Sequence, residues 1–319
     1  MLDGLLDGYT RSILIFTGIH IIAAYSFYVP FKTGQVSLGQ AGFMAVGAYA
    51  AGILTVKFGL PFPVGLLVGG LVTAVIGVCV GFPALRIKGI YLLLLTLAFA
   101  EIVQVVILTW EYTGGAQGFQ GIPFNKHTLE YVYVIVVLLI IFFARLERSS
   151  LGRIMDSIHE DETAAEVMGI DVVRVKLLAF GLGAFIAGLA GVLFAHHTTY
   201  VDQVSFSIML GIEILMFAVV GGCTTYWGPA LGAAVLTLLP ELLRTLRGFL
   251  ELVPLSWTDF FPMNRIYDLL YEFLDFENEK RLIVYGVILI LMMIVRPQGL
   301  VTRDTLRPIQ FLQRRRGHV

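Results

Sequence analysis

Long apolar runs separated by short polar connections make up most of this chain. A helix crossing the hydrocarbon of a bilayer needs about 20 mostly apolar residues, with every backbone polar group bonded internally. Each run therefore predicts a transmembrane helix. The runs are Ser12 to Val29, Ser37 to Val56, Pro63 to Phe82, Gly89 to Trp110, Tyr131 to Ala144, Leu177 to Ala195, Ser207 to Val220 and Gly228 to Leu243. A last run, Leu282 to Val295, follows a connection from Arg244 to Lys280 that carries Trp257, Phe260, Phe261, Tyr267 and Tyr271, aromatic content suited to a membrane interface. The expected fold is an all-α integral membrane protein with about nine transmembrane helices. It forms one polytopic domain: a first helical group over 12–144, a charged island over 145–176, a second group over 177–295 and a basic tail over 296–319.

The island, RLERSSLGRIMDSIHEDETAAEVMGIDVVRVK, is the longest charged interruption. Within it Asp161 is placed to cap a short helix with Glu162 in its first turn, Ala164, Ala165, Val167 and Met168 in its body, and Gly169 at its end, followed by Ile170. About two turns of helix are unstable alone in water, so the segment leans on the membrane domain or on a partner. Small Ala side chains on an exposed ridge would allow a partner to approach closely. A solvated loop with one amphipathic turn is the other reading.

Two Gly-rich stretches interrupt apolar surroundings on either side of the island: SLGQAGFMAVGAY at Ser37 to Tyr49 and GGCTTYWGPALGAA at Gly221 to Ala234. Small residues spaced four apart allow tight helix packing. Broken helices in paired positions also build transport routes from inverted repeats. Gln40 and Thr224 with Thr225, polar groups that packing does not require, favour the second reading.

Composition agrees with the pattern, since 57% of residues are hydrophobic and 14% charged, against about 25% charged in soluble domains. The net charge of −1 offers no basic surface for nucleic acid. Cys79 and Cys223 lack paired ligand spacing and read as packing residues. Lys32, the Arg86 and Lys88 loop, the island and the tail with Arg296, Arg303, Arg307 and Arg314 to Arg316 share one face when the crossings are counted, and that face should be cytoplasmic. The N-terminus then lies outside and the C-terminus inside. Asp3 and Asp7 precede the first run where a secretory leader carries positive charge, so that run is expected to be a retained span.

Glu101, in the fourth span, and Glu213, in the seventh, stand among apolar residues. An unpaired charge at such a depth costs at least about 3 kcal/mol, so each faces protein, faces water or is protonated. They are pathway-lining acids or structural ones bonded to Thr96, Gln104 or a neighbouring helix; Gln104 shares a face with Glu101. His196, His197 and Asp202 fall at a span end without further ligands at metal spacing and read as an interface. No GxxxxGK[ST] occurs, so any ATP is bound by another chain.

The stretches SLGQAGFMAVGAY at Ser37, GIYLLLLTLAFAEI at Gly89, TGGAQGFQGIP at Thr113, LGRIMDSIHEDETAAEVMGI at Leu151, KLLAFGLGAFIAGLAG at Lys176, VVGGCTTYWGPALGA at Val219 and RPQGL at Arg296 together resemble the permease subunits of branched-chain amino acid ABC importers, the LivM/LivH class, and among them most the LivM type. The resemblance implies a bacterial inner-membrane protein that is not itself an enzyme and binds no cofactor, with ATP and Mg held by two partner ATPase subunits. It implies a second homologous permease, an extracytoplasmic solute-binding protein, and a coupling helix within Leu151 to Ile170. Arg153, Glu160, Asp161, Glu162, Ala164, Ala165 and Gly169 would form the ATPase-coupling segment; its motion would tilt the attached sixth span. Gln40, Glu101, Gln104, Glu213 and Thr224 would line the pathway. Thr113, Gly114, Gly115 and Gly118 would meet the binding protein. Against this stands a stand-alone carrier or channel that uses Glu101 and Glu213 for ion coupling.

Overall fold

The computed structural model describes residues 8–87 and 89–251, of which 243–251 as backbone only, together with Gly286 and Ile290. The ninth predicted span, the basic tail, Lys88 and most of the connection from Arg244 to Lys280 lie outside the described residues.

Over the described residues between 8 and 251, ten α-helices follow one another: α1 Gly8–Phe31, α2 Gln40–Lys57, α3 Phe62–Ala84, α4 Ile90–Thr109, α5 Thr128–Arg148, α6 Ser150–Glu160, α7 Glu162–Val167, α8 Val172–Thr198, α9 Ile208–Gly221 and α10 Trp227–Glu251. Two short strands, β1 Phe119–Gln120 and β2 Tyr200–Val201, pair antiparallel. Six helical segments among the described residues are long and apolar enough to cross a membrane. Each predicted run up to Leu243 holds a helix; α1, α5, α8 and α10 extend past their apolar limits by several residues, whereas α2 begins three residues into its run and α4 stays within its run. The fifth is longer than its apolar run, because Thr128 to Glu130 and Arg145 to Arg148 continue the helix beyond the apolar stretch.

α1 and α8 form the centre. Their apolar windows are 72% buried, against 22% to 33% for α3, α4 and α5, so the latter three are the outer layer. α8 packs chiefly on α3, α2 and α1, while α1 packs also on α10, α5 and α9. The Gly and Ala content of α8 brings backbones together: a Cβ at Gly191 would fall on the Met44 carbonyl of α2. On the outer layer Leu71, Val75, Leu94, Ile102 and Leu138 are exposed, a distribution suited to lipid or a second membrane chain.

The first Gly-rich stretch is interrupted. After α1 the chain turns at Lys32 to Gly34 and runs without helix over Gln35 to Leu38, with Gln35 and Ser37 buried. Buried backbone without helical bonds requires other partners. Thr96 Oγ1 accepts from Leu38 N at 3.0 Å, Ser37 Oγ accepts from Gly39 N, and Gln40 Nε2 donates to Ser26 O at 3.2 Å.

The connections sort into two ends. Lys32 meets Asp156 of α6, and Lys176 of α8 meets Glu162 of α7, so the island sits where α1 ends and α8 begins. At the other end Lys57 donates to Tyr112 O, Arg11 to Lys126 O, and β1 pairs with β2.

Candidate functional site

The island folds as a helical hairpin standing on the membrane core. Ser149 Oγ accepts from Gly152 N at 3.1 Å and starts α6, an element the apolar pattern does not reveal. Its buried face, Gly152, Met155 and Ile158, repeats at helical spacing. Asp161 Oδ1 accepts from Thr163 N at 2.9 Å and Ala164 N at 3.0 Å, capping α7 as its position predicts. Gly169 takes φ +82°, and the Gly169 and Ile170 amides bond Glu166 O and Ala165 O, closing the helix with a Schellman-type end. Ile158, Ala165 and Val172 form a small core with Ile154, Ile170 and Val175 around it. A six-residue helix is therefore held at both ends and along one side, which supplies the stability its length lacks.

One expectation is corrected here. Ala165 is 3% exposed and faces that small core, so it is no part of an outward ridge. Ala164 is exposed. The outermost apolar surface is Val167 at 82% and Met168 at 81%, with Leu151 also exposed. Arg153, Glu160 and Asp161 are exposed beside it, and Glu162 is drawn back by Lys176 at 2.9 Å. Register explains the difference: Ala165 is the fourth residue of α7 and returns to the face that meets α8.

The five predicted pathway residues fall in four separate places. Gln40 is buried in the support of the interrupted segment, where its side chain bonds Ser26 O and Ser37 Oγ. Glu101 and Gln104 lie together on α4 at 3.3 Å, and Gln104 Nε2 also donates to Phe206 O at 3.2 Å. Thr96 bonds Leu38 N rather than Glu101. Glu213 is half-buried on α9. Thr224 borders a cavity of about 200 Å³ at the island end, with Phe31, Lys32, Asp156, His159, Glu160 and Cys223. Burial pushes the Cys223 thiol up to about 12, so the thiolate is scarce near neutrality.

At the opposite end TGGAQGFQGIP forms a folded cap rather than an open loop. Thr113 Oγ1 donates to Ile107 O and Trp110 O, both at 2.6 Å. Thr113 and Gly118 are buried, so neither presents atoms to a docking protein; Gly114, Ala116 and Gln117 are exposed, beside Trp110 and Tyr112. The strand pairing lays Tyr200 over Gly118, and Thr113 is turned inward by its bonds to the end of α4. Thr113→Val should cost the turn about 1–3 kcal/mol for the donor lost to the Ile107 carbonyl, read as faster amide exchange from Gly114 to Gly118 with the bundle unaffected. Nearby, His196 Nδ1 donates to Val192 O, and Asp202 accepts from Ser205, structural uses for both side chains.

Sequence reasoning missed three features. Lys32 was legible only as a positive loop residue, although its side chain is 3% exposed and pairs with Asp156 at 3.1 Å and Glu147 at 3.9 Å. Tyr28 donates to Glu147 at 2.8 Å and His159 Nδ1 to Phe31 O at 2.9 Å, so α1 is tied to α5 and α6 by several groups. The third was present as a pattern: Gln35-Val36-Ser37 before α2 recurs as Gln203-Val204-Ser205 before α9.

Comparison with known proteins accords with this arrangement. Residues 9–293 match the family model described as branched-chain amino acid transport system, permease component. The high-affinity branched-chain amino acid transport system permease protein LivM of Salmonella typhimurium is 31% identical, covering 92% of this chain and 69% of that protein, and the Escherichia coli protein of the same name matches equally. A probable LivM of Methanocaldococcus jannaschii is 23% identical over 91% of this chain and 92% of its own length. No solved structure matches significantly. With nearly the whole chain matched by one model and by relatives of the same description, this protein belongs to the branched-chain amino acid ABC transporter permease family.

Proposed function

We propose that this chain is one half of the membrane domain of an ATP-driven importer for branched-chain or related amino acids in a bacterial inner membrane. The observation that carries the reading is the α6–α7 hairpin, a braced projection whose outermost side chains, Val167 and Met168, are apolar and more than four-fifths exposed. Exposed apolar groups on a rigid support suit a partner's groove better than water. The partner is an ATPase subunit, one under each permease, that holds ATP and Mg; the second permease is a homologue of this chain. A solute-binding protein meets the Trp110, Tyr112 and Gln117 surface at the opposite end.

Charge supports the orientation. Lys32, Arg86, Arg145, Arg148, Arg153, Arg174 and Lys176 gather at the island end, whereas Arg11, Lys57 and Lys126 lie at the other, so the island is cytoplasmic, the N-terminus outside and the C-terminus inside. Inverted repeats account for the packing. α1 contacts α9 and α10 of the second half, α8 contacts α2 and α3 of the first, and α1 and α8 run in opposite directions. The Gln-Val-Ser pair puts the segment before α2 in register with the segment before α9, a register different from that of the two Gly-rich stretches. Glu101 with Gln104, and Glu213, lie on the half-exposed faces of α4 and α9, where they line the pathway once the second permease covers them.

Purification of this chain in mild detergent tests the reading. It should bring down two ATPase chains and a second permease. A chain that purifies alone and transports without ATP would instead be a carrier using Glu101 and Glu213.

A further inference from the structure

The coupling reading above leaves open which helix receives the motion. The attached helix α8 is the obvious one, because α7 leads into it. Asp156 and His159 of α6, however, are tied to the end of α1. We propose that Lys32 is a positioning residue that locks α6 to the end of α1, so that the hairpin, α1 and α8 move as one body and α1 transmits the ATPase stroke to α9 and α10.

Four observations carry this. Lys32 Nζ lies 3.1 Å from Asp156 of α6 and 3.9 Å from Glu147 at the end of α5, with its side chain 3% exposed; the link is one of charge rather than an aligned hydrogen bond. Glu147 is itself held by the Tyr28 hydroxyl of α1 at 2.8 Å. On the neighbouring turn of α6, His159 donates to Phe31 O and its ring lies 5.2 Å from that of Phe31. Finally, Lys32, Asp156 and His159 line a cavity that Cys223 and Thr224, in the turn between α9 and α10, also line. The hairpin is thus joined to α1, and α1 reaches the α9–α10 turn through Tyr25, whose hydroxyl donates to Tyr226 O at 2.8 Å. The cavity beside this joint leaves room for such a motion. α1 packs along both α9 and α10, so a shift of α1 reaches them directly.

The experiment uses the whole complex purified through this chain and reads three quantities: ATPase retained, ATP hydrolysed, and amino acid transported per ATP. The proposal rests on α7 docking an ATPase, and the first quantity reports that separately. For Lys32→Met the ATPase should be retained and ATP hydrolysed, while transport per ATP falls at least about tenfold. Lys32→Arg should restore it. An unchanged ratio in Lys32→Met overturns the proposal. Should Lys32→Met fail to assemble, Lys32→Cys with Asp156→Cys, bridged by a short thiol crosslinker, decides it: transport should survive crosslinking, because the two residues travel together. Transport blocked by the crosslink and restored on its cleavage would show that α6 slides on α1, and would overturn it.

Discussion

Gly191→Leu will prevent the chain from accumulating as a folded membrane protein. The first added carbon already falls on the Met44 carbonyl, which belongs to the α2 backbone and cannot rotate away. α8 has little room to retreat, because α1 and α3 pack on its other sides. Overpacking of a close-packed interior costs about 1–3 kcal/mol and more when backbone must move, a large share of the stability of a membrane bundle. Gly8→Ala is the control, since nothing lies within 4 Å of its Cβ. Size-exclusion elution in mild detergent reads the outcome: a single peak for Gly8→Ala and aggregate or loss for Gly191→Leu. An unchanged peak for Gly191→Leu would mean that α2 and α8 do not approach there.

Val167→Asp combined with Met168→Asp will release the ATPase while leaving the bundle intact. Full burial of each side chain is worth about 1.5–3 kcal/mol, and a carboxylate carried into an apolar groove adds a desolvation penalty. The pair should lower copurified ATPase at least about a hundredfold, with the elution of the permease unchanged because both side chains point to solvent. Two other substitutions in the hairpin act differently. A side chain at Gly169 meets a left-handed backbone at φ +82°, costing about 1–2 kcal/mol, and a bulky residue at Ala165 splits the core formed with Ile158 and Val172. Both should uncouple transport from hydrolysis by tilting α7 rather than by removing its contact. Retention of the ATPase by the double aspartate variant would move the docking surface elsewhere.

The apolar runs placed α1 to α5 and α8 to α10 because each is mostly apolar along its length, and Asp161 and Gly169 marked α7 because caps are local devices written in single residues. What depends on tertiary register was not legible. Helical turn alone does not say which of Ala164 and Ala165 faces α8, and only the packing settles it. Ser149 and the amphipathic α6 were hidden because the island reads as uniformly charged. Gly118 looked like a loop residue because its burial comes from a strand pair between segments about eighty residues apart in the chain. Lys32 counted toward orientation, whereas its pairing with Asp156 joins positions too distant in sequence for any spacing rule. The Gln-Val-Ser recurrence was visible throughout, but two triplets mean little until the helices that follow them are seen in exchanged packing.

Uptake by proteoliposomes holding the complex purified through this chain tests the central claim most directly. With ATP and Mg at the ATPase side and the solute-binding protein at the other, labelled leucine should accumulate, and accumulation should stop when ATP is omitted or when the Val167 and Met168 aspartate variant is used. Uptake by this chain alone, driven by an ion gradient and indifferent to ATP, would contradict it.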